Sequence, residues 1–365
     1  MEKNVELVFN NKQHRDVVLN KAKELGAFNT FDFNSSLLIE AENFLGLSRL
    51  LNTKKGFIDL IYIDPPFNTN QIFSVSEKRA NAISRSKSAV LAYADLMDTD
   101  EFLNFMYERF ILLYELLSDN GSLYVHIDTK MGHYFKVILD EIFGVQNYKN
   151  DITRIKSNPK NFDRKAYGNE KDMILFYSKN TNKNIWNEIK VELSAEELES
   201  KFQKVDKDGR RYTTIPLHAP GESAGITGSQ WRGMLPPEGR HWRTSPEEFD
   251  KLDAKGLIEW SSTGNPRIKK YADEHKGKKI QDIWTFKDPQ NPLYPTQKNL
   301  DMLKMIIKQS SLEGSYVLDC FAGSGTTLLA ASELNRKFIG IDKSKIAIDI
   351  IKKRLSLTEN QIVVL

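Results

Sequence analysis

Cysteine is almost missing from this chain: Cys320 is the only one in 365 residues. That excludes an internal disulfide framework and any cysteine-based zinc site. Glycine and proline are also sparse, at 20 and 12 residues, below their usual combined share of roughly 12%. The chain is therefore neither collagen-like nor low-complexity. No run of about 18 apolar residues occurs, so no membrane-spanning helix is expected. The start, Met1-Glu2-Lys3-Asn4-Val5-Glu6, has no apolar stretch after a basic segment. No signal peptide is expected, and the expected location is the cytoplasm. No His/Cys/carboxylate cluster has ligand spacing, so no metal is expected. A large excess of one charge is missing too, since 52 basic against 49 acidic residues give +3 and a pI near 8.6. Any nucleic-acid partner would need that positive charge concentrated on one face.

What is present suits a globular chain with a sizeable core: 40% hydrophobic and 28% charged residues. At about 150 residues per domain, the length predicts two domains, or one large domain with an insertion. Four short apolar runs stand out, at 57–63, 122–127, 316–318 and 337–341. Their length and β-branched or aromatic content predict strands covered on both faces, as in a parallel sheet. Between them, Phe102, Phe105, Met106, Phe110, Leu113, Leu116 and Leu117 keep one apolar face from Asp100 to Ser118. Ile346, Ile350, Ile351 and Leu355 do the same near the end. This alternation predicts an α/β open sheet. From about Arg154 to Tyr294 it fades into irregular pieces rich in Gly, Pro, Trp and Arg, which predicts an inserted domain. The stretch from Ile72 to Met97, polar, basic and serine-containing, reads as a loop, either solvated or ordering over bound nucleic acid.

Two motifs carry chemistry. In Asp319-Cys320-Phe321-Ala322-Gly323-Ser324-Gly325-Thr326-Thr327, a strand passes through a glycine turn into a helix. Glycines let the backbone approach a ligand, and the helix start offers free N–H groups. The next strand ends in Asp342, placed to accept hydrogen bonds from ribose hydroxyls. A nucleoside-containing cofactor fits. A P-loop lacks its Gly-Lys-Ser/Thr here, a nicotinamide site lacks its third glycine because position 328 is Leu, and an ordinary glycine turn stays open. The second motif, Asp64-Pro65-Pro66-Phe67-Asn68-Thr69, ends an apolar strand where open sheets bind ligands. Its prolines remove two donors and leave a carboxylate and carbonyls as acceptors. Asp64 and the Pro65 carbonyl would hold the two hydrogens of an exocyclic amino group, with Phe67 stacked on the ring. A rigid turn capping the strand is the plainer alternative.

Together these motifs resemble the amino-group DNA methyltransferases that use S-adenosylmethionine. Asp64-Pro65-Pro66-Phe67 looks like their catalytic D-P-P-[YF], and Phe321-Ala322-Gly323-Ser324-Gly325 looks like their F-x-G-x-G. The catalytic motif comes first and the cofactor motif last, which is the permuted order of the family's β group. Leu37 to Asn43, Tyr294-Pro295-Thr296-Gln297-Lys298, Gly239 to Arg243 and Ile283-Trp284 resemble segments of the modification subunits of type III restriction systems. Cys320, Asn299 and Ala41-Glu42 depart from the usual Pro, Pro and Gly-Asp.

The resemblance implies a doubly wound, Rossmann-like α/β sheet. It divides the chain into a catalytic half at 1–153, a target-recognition insertion at 154–294 and a cofactor-binding half at 295–365. It implies that Asp319, Phe321, Ala322, Gly323, Ser324, Gly325, Thr326, Asp342, Gln297, Lys298 and Glu42 hold S-adenosylmethionine. The activity implied is methylation of the N6 amino group of an adenine flipped out of duplex DNA. Asp64 favours adenine over cytosine N4, and the lack of a placed thiol argues against cytosine C5. In the insertion, Trp231, Arg232, Arg240, His241, Arg243, Lys269 and Lys270 are expected to contact DNA, with burial or a solvated face as the plain alternative for each. Expected partners are double-stranded DNA, with a homodimer and a restriction subunit open by resemblance. Rival readings are cytosine-N4 methylation, RNA adenine methylation and a non-catalytic DNA-specificity subunit. His126 and Asp128, at a strand end, could line the site, although a lone strand histidine is more often structural.

Overall fold

The computed structural model describes residues 5–26, 31–66, 72–76, 79–81, 90–94, 97–157, 165–290, 292, 297–358 and 361–365. They fall into two compact units, Met1–Ile189 with Gln281–Leu365, and Lys190–Ile280. The first is built on a nine-stranded sheet of β1 (Leu37–Glu40), β2 (Ile58–Ile63), β3 (Leu117–Ile127), β4 (Tyr148–Ile155), β5 (Lys171–Ser178), β6 (Ile283–Thr285), β7 (Tyr316–Asp319), β8 (Lys337–Asp342) and β9 (Ile362–Val364). Their order is β6-β4-β5-β3-β2-β7-β8-β1-β9. From β3 to β9 all neighbours are parallel. β5 runs antiparallel to both β3 and β4. Each of the four apolar runs read from the sequence lies in one of these strands.

Side-chain alternation shows that both faces of the sheet are buried. Leu37, Ile39, Ile61, Ile63, Leu123, Val125, Leu318 and Ile339 share one core with helices α1 (Arg15–Leu25), α2 (Asn43–Thr53), α3 (Thr99–Leu116) and α4 (Thr129–Phe143). Leu38, Leu60, Tyr62, Tyr124, Val317 and Phe338 are equally buried and alternate with them along the strands. Their face meets α5 (Leu300–Ser310), where Ser310 Oγ lies 2.7 Å from the Tyr124 hydroxyl. Two further helices, α6 (Thr326–Glu333) and α7 (Lys345–Leu355), flank β8. The architecture is thus a doubly wound α/β sheet. The winding reverses between β2 and β7: β2 leads to β3 on one side, and β7 leads to β8 on the other. Ligand sites of open α/β sheets lie at such a switch point, beyond the carboxyl ends of the strands.

The stretch read as a loop is corrected. It contains three antiparallel strands, with Ile72–Ser76 between Arg79–Asn81 and Val90–Ala94. Alternation in Ile72-Phe73-Ser74-Val75-Ser76 was available, but serine and basic residues around it masked the period.

The second unit has a four-stranded antiparallel sheet of Lys204–Val205, Arg211–Pro216, Pro266–Tyr271 and Ile258–Trp260. Its own core gathers Leu217, Trp231, Trp242, Phe249, Ile258 and Ile268. This unit is narrower than the stretch 154–294, because β5 and β6 pair within the first sheet. Among the described residues no helix is long and apolar enough to cross a membrane.

Candidate active site

At the switch point the tips of β2 and β7 open into a cleft of about 1180 Å³, part of it continuous with solvent. One wall is the turn from β7 into α6. Gly323 and Gly325 both take positive φ, +51° and +72°. A Cβ on Gly325 would sit 2.7 Å from Ile351 Cγ1, so only glycine fits that corner without displacement. The Gly325 N–H donates to the Ala322 carbonyl at 2.7 Å and closes the turn. Ser324 Oγ and Thr326 Oγ1 are 2.9 Å apart, and Arg354 donates to the Ser324 carbonyl and to Thr326 Oγ1.

A buried carboxyl, Asp319, and a partly buried one, Asp342, stand behind this turn. Asp342, at the tip of β8, accepts from the Gly323 and Ser344 N–H groups, both at 2.8 Å. Burial raises its carboxyl despite those donors. Asp319, at the tip of β7, accepts from the Phe321 N–H at 3.0 Å. Burial pushes it up to about 7, with the charges of Asp64 and Asp342 acting in the same direction and a hydrogen bond from Thr327 opposing.

Asp64 lies just past β2. Its Oδ2 accepts from Lys298 Nζ across 234 residues of sequence. Its Oδ1 is buried and has no hydrogen-bond partner among the described residues. Lys298 was expected at the cofactor; it stands in the cleft wall beside Gln297, with its ammonium on Asp64. Pro66 also lines the cleft, next to Pro65. Phe67, expected to stack on the base, lies outside the described residues, as do Tyr294, Pro295 and Thr296.

The opposite wall comes from α2 and α3. Glu42 caps α2, accepting from the Phe44 and Leu45 N–H groups through Oε2. Its Oε1 takes a charge-assisted bond from Arg109 of α3. Arg109 also donates to Asn43 Oδ1 at 2.5 Å, and its guanidinium lies 3.4 Å from the Phe105 ring centroid. Phe105 and Phe321 face each other across the cleft wall at 6.2 Å. Tyr62 lines the cleft; beneath it lies His126, with Nδ1 2.7 Å from the Tyr62 hydroxyl and Nε2 3.2 Å from Asp172. Asp128 caps α4 and is not in the cleft lining.

Sequence reasoning thus missed Tyr62, Asn43, Phe105, Arg109 and Asp172. For Tyr62 a signal existed, since a strand residue two before Asp64 must leave the same face. The others are brought in by pairing between elements that no local pattern records.

In the second unit the structure corrects Trp231. Its ring is 2% exposed, stacks on Trp260 and donates to Asp250, so it is a core residue. Arg232 is exposed, and Asp250 and Asp253 pair with it at 3.0 and 2.6 Å. Lys269 pairs with Asp206 at 3.2 Å. Arg240, next to His218, and Arg243, on the Pro216 carbonyl, have no carboxylate within pairing distance among the described residues. His241 Nδ1 lies 2.8 Å from the Gly221 carbonyl, and Lys270 is exposed.

Comparison with known proteins agrees with this geometry. Residues 58–353 match the model of a family described as DNA methylase, a span that runs from β2 through α7. The chain is 41% identical to the type II methyltransferase M.EcaI of Enterobacter cloacae, over 97% of this chain and 78% of that one. It is 25% identical to the StyLTI Mod subunit, a type III restriction-modification enzyme of Salmonella typhimurium, covering 92% of this chain but only 54% of the relative. A solved structure of PvuII DNA methyltransferase, described as cytosine-N4-specific, superposes at a TM-score of 0.50 with 11% identity, over 90% of this chain and 92% of that one. That last likeness bears on the fold alone. A doubly wound sheet, an acceptor motif at its switch point, and a match spanning both lead to one assignment: the chain belongs to the DNA methylase family.

Proposed function

We propose that the protein transfers a methyl group from S-adenosylmethionine to the N6 amino group of an adenine flipped out of duplex DNA, within a restriction-modification system. The observation that carries this reading is Asp64. One of its oxygens is occupied by Lys298, and the other is buried, unpartnered among the described residues, and beside the glycine turn.

The cleft fits the cofactor. Asp342 accepts two backbone N–H bonds, which leaves lone pairs for ribose hydroxyls. Gly323 and Gly325 keep the turn free of side chains, and Glu42, Gln297, Asp319, Phe321, Ala322, Ser324 and Thr326 complete its lining or support. When bound, S-adenosylmethionine supplies an electrophilic methyl carried on a sulfonium. Asp64 Oδ1 and the Pro65 carbonyl accept the two amino hydrogens and orient the nitrogen lone pair. Asp64 Oδ1 then takes the proton that the alkylated nitrogen releases. Lys298 holds Oδ2, so the free oxygen points one way. Catalysis rests on orientation and on charge fixed in advance. Phe67 would stack on the flipped base, a contact worth roughly 1–3 kcal/mol.

The second unit is read as the target-recognition domain, with Arg240, His241, Arg243 and Lys270 as DNA contacts. Relatives named as type II and type III restriction-modification components support that setting. A restriction subunit and self-association are tested by co-purification and sedimentation. The decisive experiment is transfer from labelled S-adenosylmethionine to mixed-sequence duplex DNA and to RNA, followed by nucleoside mass spectrometry. N6-methyldeoxyadenosine is the expected product. N4-methyldeoxycytidine would overturn the base assignment, and methylated RNA alone would overturn the substrate.

A further inference from the structure

Below Asp64 lies a polar chain that methyl transfer, as described above, does not use. Tyr62 precedes Asp64 by two residues, so both side chains leave the same face of the sheet, and both line the cleft. The Tyr62 hydroxyl lies 2.7 Å from His126 Nδ1. Across the ring, His126 Nε2 lies 3.2 Å from Asp172 Oδ2 in β5. Lys156 holds the other Asp172 oxygen at 2.6 Å, and Arg154 approaches Asp172 at 3.5 Å and Asp288 at 2.5 Å.

Chemistry fixes the direction of these bonds. An ionised carboxylate only accepts, so the hydrogen on the His126 ring sits at Nε2. Among the described residues the carboxylates near the ring are matched by cations, Asp172 and Asp288 by Lys156 and Arg154, and Asp64 by Lys298. That leaves no surplus negative charge to hold a second ring proton. His126 is wholly buried, and burial depresses its pKa in favour of the neutral ring. Burial also raises Asp172, but its bond with His126 and the Lys156 ammonium outweigh that and hold it below the usual carboxylate range. A neutral ring carrying Nε2–H has its lone pair at Nδ1, where it accepts the Tyr62 O–H. The phenol oxygen then has only acceptor capacity left.

We propose that Tyr62 is a ligand-contacting acceptor in the cleft: its oxygen, aimed by the buried His126–Asp172 pair, takes an N–H from a bound ligand. This rests on the methylase reading, which supplies one ligand with such a group to spare, the ammonium of the cofactor's amino-acid end, since both hydrogens of the target amine are taken by Asp64 and the Pro65 carbonyl. His126 and Asp172 are positioning residues that act through Tyr62.

Calorimetry of S-adenosylmethionine binding and single-turnover methylation of duplex DNA test this on wild type, Tyr62→Phe, His126→Asn and the double variant. Tyr62→Phe keeps the ring and removes only the oxygen, so its melting temperature should stay close to wild type. Its Kd for S-adenosylmethionine should rise about tenfold, which assigns the acceptor to the cofactor. An unchanged Kd overturns the proposal, whatever the methylation rate. A variant within twofold of wild type in both measurements overturns the proposal. His126→Asn should lose the same parameter, and adding it to Tyr62→Phe should cost little more; additive losses overturn the positioning role. Should Tyr62→Phe not fold, the ¹⁵N shifts of His126 in the wild type decide. A neutral ring protonated at Nε2 is expected, and an Nδ1–H or doubly protonated ring overturns the proposal. Wild-type protein that neither binds S-adenosylmethionine nor methylates DNA would overturn the methylase reading itself. An active wild type beside an unimpaired Tyr62→Phe overturns only the inference about Tyr62.

Discussion

Asp64 carries two different environments on one carboxylate, and substitution separates them. Asp64→Asn keeps a polar group beside Lys298 but loses the charge that receives the released proton. Methyl transfer should fall by about a hundredfold or more, while the calorimetric Kd for S-adenosylmethionine changes by no more than a few-fold. Asp319 makes a prediction in pH. Its folded carboxyl titrates near 7, whereas an unfolded aspartate titrates near 3.9. The folded state therefore holds the extra proton between those values, and stability declines as pH rises from about 4 to about 7. Urea midpoints across that window should fall for wild type, and Asp319→Asn should flatten the slope. Gly325 is constrained by backbone rather than by ligand. Alanine there adopts a left-handed conformation that costs about 1–2 kcal/mol and meets Ile351. The variant should melt lower even without cofactor. These three residues were all legible in the sequence, because each sits at a strand tip or in a glycine turn whose local pattern is strong. For Tyr62 the spacing from Asp64 marks the shared face, but nothing local shows that this face opens into a cleft rather than into the core.

Elements meet at the cleft through a few fixed points. Helix α3 is tied to the start of α2 by Arg109, whose guanidinium is 5% exposed while its partner Glu42 is 48% exposed. Arg109→Ala would leave Asn43 Oδ1 without its donor and loosen the cap; Glu42 stays half in water, so the cost is that of an unsatisfied buried acceptor, about 1–3 kcal/mol. A lowered thermal midpoint together with weaker cofactor binding is the expected outcome. The four apolar strands and the long amphipathic α3 were readable from periodicity alone. Helix α3 starts with a capping box of Asp98 and Glu101, which also stands in the sequence. The strands β4 and β5 were not recognised as part of the main sheet. Residues 171–178 form an apolar run, but irregular sequence on both sides hid its allegiance, which is set by pairing with β3. Arg109 escaped for a related reason: one arginine in an apolar helix looks like an exposed edge until its partners are placed.

At the scale of the whole chain, two units have separate cores and should fail separately. Phe249 is fully buried among Trp231 and Trp242 in Lys190–Ile280. Phe249→Ala should cost that unit about 3–5 kcal/mol. Sequence-selective DNA binding should be lost while calorimetric binding of S-adenosylmethionine persists; loss of both would refute the division of labour. With a net charge of only +3, the proposed DNA binding would rest on local clusters such as Arg240 and Arg243. It should still fall steeply between 50 and 200 mM salt, a range over which phosphate-dominated interfaces lose affinity by orders of magnitude. The stretch where alternation fades includes the second unit, but the edges at Lys190 and Ile280 were not legible, because β5 and β6 inside that stretch join the main sheet by pairing alone. The neighbouring tips of β2 and β7 also set the order of events during translation. Asp64 is synthesised early, yet β7 and the glycine turn that complete its cleft leave the ribosome more than 250 residues later. Under the proposed function, a nascent chain would carry Asp64 long before the glycine turn that completes its cleft, so no methyl transfer would precede the synthesis of β7.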